Sequence, residues 1–414
     1  MSTTFGLTGS VHLDREPWLT VRGCKKVLVV VQTLTFGQRL LDVFSLLEAD
    51  MRVEVFFTVA PHAFGEGVTR FLQRLGSPVL PWQEAARSEF DLALAAGWEH
   101  IDQVRAPLIL LSHGAGHIKL QRVWHGTDAR ERPPGMLGRD NLTRNGKVLP
   151  AVLGVAHRDE LETLSRSCPE ALPVASVVGD PSYDRLLASL PHRDAYRAAL
   201  GLDEGQKLVV VASTWGASAS FGGFDALLPR LLSELPAGKY RTAVLTHPNI
   251  WAGHGRWQVH AWLSKYRRRG LALVPPEVDW RAVLAAADWV VGDHGSLTSY
   301  ATLMPVPIVL ARFPYAEVHH ASPAAALATT APVLSPGHPL EEQLHYAAAE
   351  YRREEYEAAA RRISSEPGRF HQHIRRLMYH RLGIGQPAYQ PLTEPAPKPE
   401  PLDSWTGWIE GAAA

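Results

Sequence analysis

Cysteine is scarce: Cys24 and Cys168 are the only two in 414 residues, and they stand far apart. That excludes a disulfide framework and a thiolate metal site. No apolar run approaches the ~18 residues of a membrane-spanning helix, and the first residues lack a basic-then-apolar leader, so the expected location is cytoplasmic. Charge of one sign is also lacking. Lys+Arg and Asp+Glu each total 42, so no global field favours nucleic acid. A P-loop, a GxGxxG run after the first apolar strand and a Ser nucleophile elbow are missing, and with them go the kinase, dehydrogenase and hydrolase readings. Of the 19 histidines, no i,i+4 pair is followed by a carboxylate, and no Asp-x-Asp element is present. No metal and no cofactor are expected.

What is present is an α/β rhythm. Apolar content of 46% and charged content of 20% are ordinary for a packed globular chain, and the length predicts roughly two to three domains. Short apolar strands fall at 25–31, 52–60, 91–96, 107–112 and 148–156, with helical spacing at 37–47 and 68–75. Gly179-Asp180-Pro181 reads as an interdomain turn, after which the pattern restarts. Strands follow at 207–214, 241–247 and 271–275, and helices at 226–235, 257–269 and 280–287. Alternation of this kind predicts parallel sheets covered on both faces. Two Rossmann-type domains are expected, over 1–178 and 179–338, facing a cleft and binding ligands outside the strands' carboxyl ends. Helices are expected to pack across them over 339–384, followed by a Pro-rich, disordered tail over 385–414. The basic helix at 369–382 has a short apolar face, which favours packing over a membrane surface.

The chemistry concentrates between Asp288 and Leu310. A strand end leads through a tight loop, Gly292 to Gly295, into a helix from Ser296 that stops before Pro305. A helix opening on Gly, Ser and Thr directly after a strand presents free N–H groups, which suit a phosphate. Asp293, His294, Gly295, Ser296, Leu297, Thr298 and Ser299 form the expected cradle, although Ser296, Thr298 and Ser299 are also ordinary capping residues. Thr214 and Trp215 open a Gly- and Ser-rich loop able to close over a substrate, though plain loop composition explains it as well. Two histidines stand at strand ends: His113 after PLILLS, and His247 before Pro248. Either can exchange a proton with a hydroxyl or a phosphate oxygen near neutral pH. Each alone is more simply a structural histidine, but two at equivalent edges of facing sheets argue for a site. Gly114, Gly116 and His125 are candidates for the opposite, acceptor side, and Arg312, His319 and His320 for the rim of the cleft.

These residues resemble the CDP-glycerol glycerophosphotransferase (teichoic-acid polymerase) family, over roughly Pro107 to Leu310. Its Trp-His-Gly-Thr-Pro strand end is matched by Ser112, His113, Gly114, Ala115 and Gly116, and its Gly-x-Pro-Arg-Asn-Asp by Gly179 to Asp184. Its Ala-Pro-Thr-Trp is similar to Ala212, Ser213, Thr214 and Trp215, and its Arg-x-His-Pro to Leu245, Thr246, His247 and Pro248. Its Asp-Tyr-Ser-Ser-x-x-x-Asp becomes Asp293, His294, Gly295 and Ser296, with Tyr300 in place of the final acid. Ser182 and Leu245 replace two arginines, so the skeleton of the motifs is kept while their charge is not.

The resemblance implies a GT-B-type fold, with an acceptor domain first and a nucleotide-donor domain second. It implies that His113 and His247 are the catalytic pair and that the Ser296 loop holds a donor diphosphate. The expected activity is metal-independent transfer of a phospho-alcohol from a nucleotide-diphosphate donor to an acceptor hydroxyl. The alternatives are a nucleotide-sugar glycosyltransferase or sugar-nucleotide epimerase of the same fold, and a catalytically silent binding or scaffold subunit. The expected partners are small molecules, without nucleic acid or membrane.

Overall fold

A computed structural model of the chain describes residues 20–120 and 134–407. The first half builds β1 (Lys25–Val31), β2 (Val53–Val59), β3 (Val79–Leu80), β4 (Leu92–Ala95) and β5 (Leu108–Leu111). A small antiparallel hairpin, β6 (Thr143–Arg144) and β7 (Lys147–Val148), precedes β8 (Val152–Val155) and β9 (Ala175–Val177). Seven of these strands form one parallel sheet in the order β3-β2-β1-β4-β5-β8-β9. Val27 to Val31 are buried without a break, because helices cover both faces and no side of the strand meets water.

The second half repeats the plan with β10 (Lys207–Ser213), β11 (Tyr240–Thr246), β12 (Ala272–Leu273), β13 (Trp289–Gly292) and β14 (Ile308–Leu310). They form a five-stranded parallel sheet in the order β12-β11-β10-β13-β14. Strand order reverses between β1 and β4 in one sheet and between β10 and β13 in the other. Such reversal points leave a crevice at the strands' carboxyl ends, where ligands bind. Ser213 and Gly292 end the two strands at the second crevice, which places Thr214, Trp215 and the Asp293 loop there.

Several elements differ from the sequence expectation. The helix expected at 37–47 runs over Leu34–Phe44, because the Thr33 hydroxyl caps it by accepting from the Phe36 amide at 3.3 Å. The segment at Gly179-Asp180-Pro181 is more than a turn. Asp180 caps a helix, Pro181–Ser189, by accepting from the Tyr183 amide at 2.7 Å, and Pro181 starts it with a preset φ. The stretch from Leu340 is two helices, Leu340–Ala349 and Arg353–Ala360, both packed on the second half. The helix Phe370–Leu382 then crosses back, burying Phe370, Ile374, Met378 and Leu382 in the core of the first sheet. Asp184 pins this return by accepting from the Gly368 and Phe370 amides at 2.6 and 3.0 Å.

The Pro-rich tail, expected to be disordered, is docked as far as Gly407. Its prolines lack the N–H donors that a ladder needs, but its carbonyls are taken by buried donors: Arg375 reaches Pro387 and Tyr389, and Tyr196 reaches Ala396. Leu402 and Trp405 then enter the core of the second half, so apolar burial offsets the ordering of the chain. Among the described residues, no helix is long and apolar enough to cross a membrane.

Candidate active site

Between the two sheets lies a cavity of about 260 Å³. Its walls include His113, Gly114 and Gly116 from the first half, and Thr214, Trp215, His247, Asp293, His294, Gly295, Ser296, Leu297 and Thr298 from the second. Thus His113 and His247, 134 positions apart in sequence (247 − 113), line one space.

Their hydrogen bonds give the two rings opposite faces. His113 Nδ1 lies 3.2 Å from the Ala96 carbonyl, which can only accept, so the ring proton sits on Nδ1 and Nε2 carries a lone pair. His247 caps the helix Pro248–His254 with Nδ1 accepting from the Asn249 amide at 3.1 Å, so its proton is on Nε2. Burial, opposed by the Ala96 hydrogen bond, pushes His113 down to about 4. Burial also holds His247 well below the ordinary histidine value, and the Lys119 charge adds to the effect. Both imidazoles are neutral at pH 7. One offers a base, the other a donor.

Gly292–Ser299 is organised chiefly by Asp293. Its carboxylate accepts from the amides of Thr214, Ser220 and Gly295 at 2.9 to 3.2 Å and is almost completely buried. Asp293 therefore knits the two strand-end loops together and has its acceptor capacity committed inside the protein. The Thr298 hydroxyl accepts from the Asp293 amide, and the Ser299 hydroxyl donates to the Gly295 carbonyl. Ser299 is buried and lies outside the cavity wall, which corrects its place in the expected cradle. The Ser296 hydroxyl accepts from the Ala115 amide at 3.1 Å and so bridges to the first half. The amides of Ser296 and Leu297 have no protein acceptor among the described residues. His294 lines the cavity, with Nδ1 buried and without a hydrogen-bond partner.

Gly114 permits the close approach of the halves: a Cβ there would lie 2.5 Å from Ser296 Oγ. Gly116 has φ +69°, the left-handed region in which glycine is unstrained.

Three candidates are not brought together with the rest. Arg312 is exposed and lies away from the cavity wall, reaching only toward the Ala217 carbonyl at 3.5 Å. His319 lines a separate small pocket with His117 and Glu160, and His320 a shallow surface hollow. The chain turns away after β14, so proximity in sequence to a strand end does not carry these side chains to the cleft. His125 lies outside the described residues.

The arginine-poor motifs have a tertiary counterpart. Arg39, from the helix after β1, lies in the cavity wall and is fully buried. It donates to Asp180 at 3.0 Å, to the Tyr300 hydroxyl at 3.0 Å and to the Gly114 carbonyl at 3.3 Å. Burial alone would lower its pKa, but the Asp180 and Tyr300 side chains more than reverse that. Tyr300, where the resembling family has an acid, donates to Asp180 at 2.9 Å and stacks on Trp280. Arg281 reaches the Ser182 hydroxyl at 2.9 Å and Asp42 at 2.7 Å, so an arginine from another helix occupies the surroundings of Ser182. Arg39, Lys119, Trp280 and Arg281 were not among the sequence candidates. The available signal was an arginine and an aspartate, Arg39 and Asp42, inside a helix otherwise spaced for burial.

Two parallel sheets of this topology, with a C-terminal helix returning to the first, define a GT-B architecture. No protein-family model and no curated protein matches the chain. Solved structures do. The wall teichoic acid polymerase TagF superposes with a TM-score of 0.58 at 14% identity, over 88% of this chain and 90% of that one. A TagF variant soaked with CDPG gives a TM-score of 0.60 at 15% identity, over 88% and 89%.

Proposed function

We propose that the chain is a GT-B transferase that uses a nucleotide-diphosphate donor and moves a phospho-alcohol onto an acceptor hydroxyl. The observation that carries this reading is the pair of neutral imidazoles with opposite protonation, His113 and His247, in one interdomain cavity. The acceptor O–H gives its proton to His113 Nε2 as its oxygen attacks the phosphorus of the phospho-alcohol. The P–O bond to the nucleoside monophosphate breaks, and His247 Nε2–H stabilises the charge on the phosphate oxygens. The products are the phosphodiester and the nucleoside monophosphate. The amides of Ser296 and Leu297 face the diphosphate, with Thr214 and Trp215 beside it. The likeness to TagF soaked with CDPG supports a cytidine nucleotide as the first donor to try.

The reaction so written uses no metal, so turnover in EDTA should match turnover without it. A thermal-shift panel of CDP-, UDP- and GDP-linked donors tests the assignment, followed by detection of CMP on mixing with hydroxyl acceptors. A response to UDP-sugars without one to CDP donors would convert the reading to a glycosyltransferase. Silence across the panel, with His113→Ala and His247→Ala leaving pathway output unchanged, would leave a scaffold subunit.

A further inference from the structure

The first sheet has a crevice of its own that no motif in the sequence marks. Strand order reverses between β1 and β4, so the chain just past those strands emerges at a ligand edge. Thr35 follows β1 and Trp98 follows β4, and both line the interdomain cavity together with Ser112 and His113. The loop that carries Trp98 is tightly mounted. Gln32, wholly inaccessible, donates to the Gly97 carbonyl at 3.3 Å and to the Glu99 carbonyl at 3.1 Å, on either side of the indole residue. A Cβ on Gly97 would lie 2.3 Å from Phe36, so the loop has no room for a side chain there. Phe36 in turn packs on His113, with ring centres 4.4 Å apart, and the Ala96 carbonyl of the same loop holds His113 Nδ1. One short segment thus fixes both the base and the indole. Gln38, also in the wall, reaches across to the Pro276 carbonyl of the second half at 2.8 Å.

The half-buried Trp98 gives this end of the cavity a flat apolar surface. The Thr35 hydroxyl is buried without a hydrogen-bond partner among the described residues, although buried polar atoms are almost always paired. Thr35, Gln38, Trp98 and Ser112 carry no charge, and Arg39 in the same wall is paired with Asp180. Lys119 Nζ is directed to the Trp215 carbonyl of the second half, 2.6 Å away. Burial would raise the Glu99 carboxyl, but His62, 3.6 Å from it, holds it below its ordinary value, and its charge is felt at His113. An aromatic surface, an unmatched hydroxyl and a negative field suit an uncharged ring rich in hydroxyls and repel a phosphate.

We propose that this crevice is the acceptor subsite and that the acceptor is a neutral hydroxylated ring, a glycoside or a cyclitol, stacked on Trp98 with one hydroxyl on Thr35 and another at His113 Nε2. This rests on the reading of His113 as the base that faces the acceptor. The hydroxyl at His113 is the one that becomes the phosphodiester oxygen, and the stack selects which alcohol presents it.

Saturation-transfer NMR on the full chain, with and without CDP, tests this without needing turnover. Methyl glucoside, myo-inositol and glycerol 3-phosphate are the probes, on wild type, Trp98→Ala, Trp98→Phe and Thr35→Val, and isothermal titration gives the CDP affinity of each protein. The expected result is transfer to both neutral rings and none to glycerol 3-phosphate. Trp98→Ala should weaken ring binding roughly tenfold, the scale of one lost ring stack, and Thr35→Val about three- to tenfold, for one neutral hydrogen bond. Trp98→Phe should retain most of the affinity. CDP affinity should stay within about twofold throughout, which a collapsed cleft would not allow. Glycerol 3-phosphate bound as tightly as the rings overturns the inference. So do rings that receive no saturation with or without CDP, and ring affinity unchanged in Trp98→Ala. If wild type binds the rings through Trp98 but binds no CDP, the donor reading fails while the ring subsite stands.

Discussion

Asp180 is the residue on which the interdomain contact is expected to be most sensitive. Its side chain is wholly inaccessible and accepts three hydrogen bonds: Arg39 at 3.0 Å, the Tyr300 hydroxyl at 2.9 Å and the Tyr183 amide at 2.7 Å. Asp180→Asn keeps the shape and the helix cap but leaves the Arg39 guanidinium buried without its anion. Removing one member of a buried pair costs roughly 3–5 kcal/mol, because the other stays desolvated and unpaired. Tyr300→Phe removes only a neutral hydroxyl from the same knot, for a loss of ~1–3 kcal/mol. In Arg39→Met/Asp180→Asn the charge imbalance disappears, so the double variant should be more stable than the sum of its single variants implies. Urea unfolding of the four proteins, read as a double-mutant cycle, measures both quantities. A cost below ~1 kcal/mol for Asp180→Asn, or an additive cycle, would refute the argument that these charges depend on each other. Since Arg39 also holds the Gly114 carbonyl, the loosened variants should bind nucleotide more weakly as well.

Further expectations concern the cleft and its margin. With His113 pushed down to about 4, the base is present above that value and lost below it. The acid limb of kcat/KM should fall near pH 4; a limb near the ordinary 6.5 would exclude His113 as the base. Glu160, buried beside His117, is raised by burial to about 7 against an ordinary 4.5. The folded state then holds more protons than the unfolded one between these values, so stability is full below pH 4.5 and declines as pH rises toward 7. Glu160→Gln should remove up to ~3 kcal/mol of that decline in pH-dependent melts; identical pH profiles would contradict it. Gly114→Ala should destabilise by ~1–3 kcal/mol through the clash with Ser296 Oγ, and Ser296→Ala should relieve much of it in thermal unfolding. Strict additivity of these two changes would show that the halves are not in contact there.

The strands were legible because they are buried on both faces: KKVLVVV and KLVVVAS are continuous apolar runs, and β1 and β10 coincide with them or nearly so. The strand-end residues His113, His247 and Gly292–Thr298 follow from those strands, since a residue just past a buried strand emerges at the sheet's ligand edge. Arg312 and His320 failed the same inference, because the turn after β14 carries them out of the cleft. The tail failed for another reason. Its composition says only that it forms no ladder, whereas the donors that order it, Arg375 and Tyr196, lie elsewhere in the chain.

Local pattern alone thus determined two parallel sheets in series and the loops at their edges, because periodicity and turn chemistry are properties of neighbouring residues. Which charges meet was decided by the fold. Arg39, Asp180 and Tyr300 are separated by 141 and 120 positions, and only the docking of two sheets brings them within hydrogen-bonding distance. The protonation of the two cleft histidines was likewise settled in three dimensions, by a carbonyl at the end of β4 and an amide in the helix after β11.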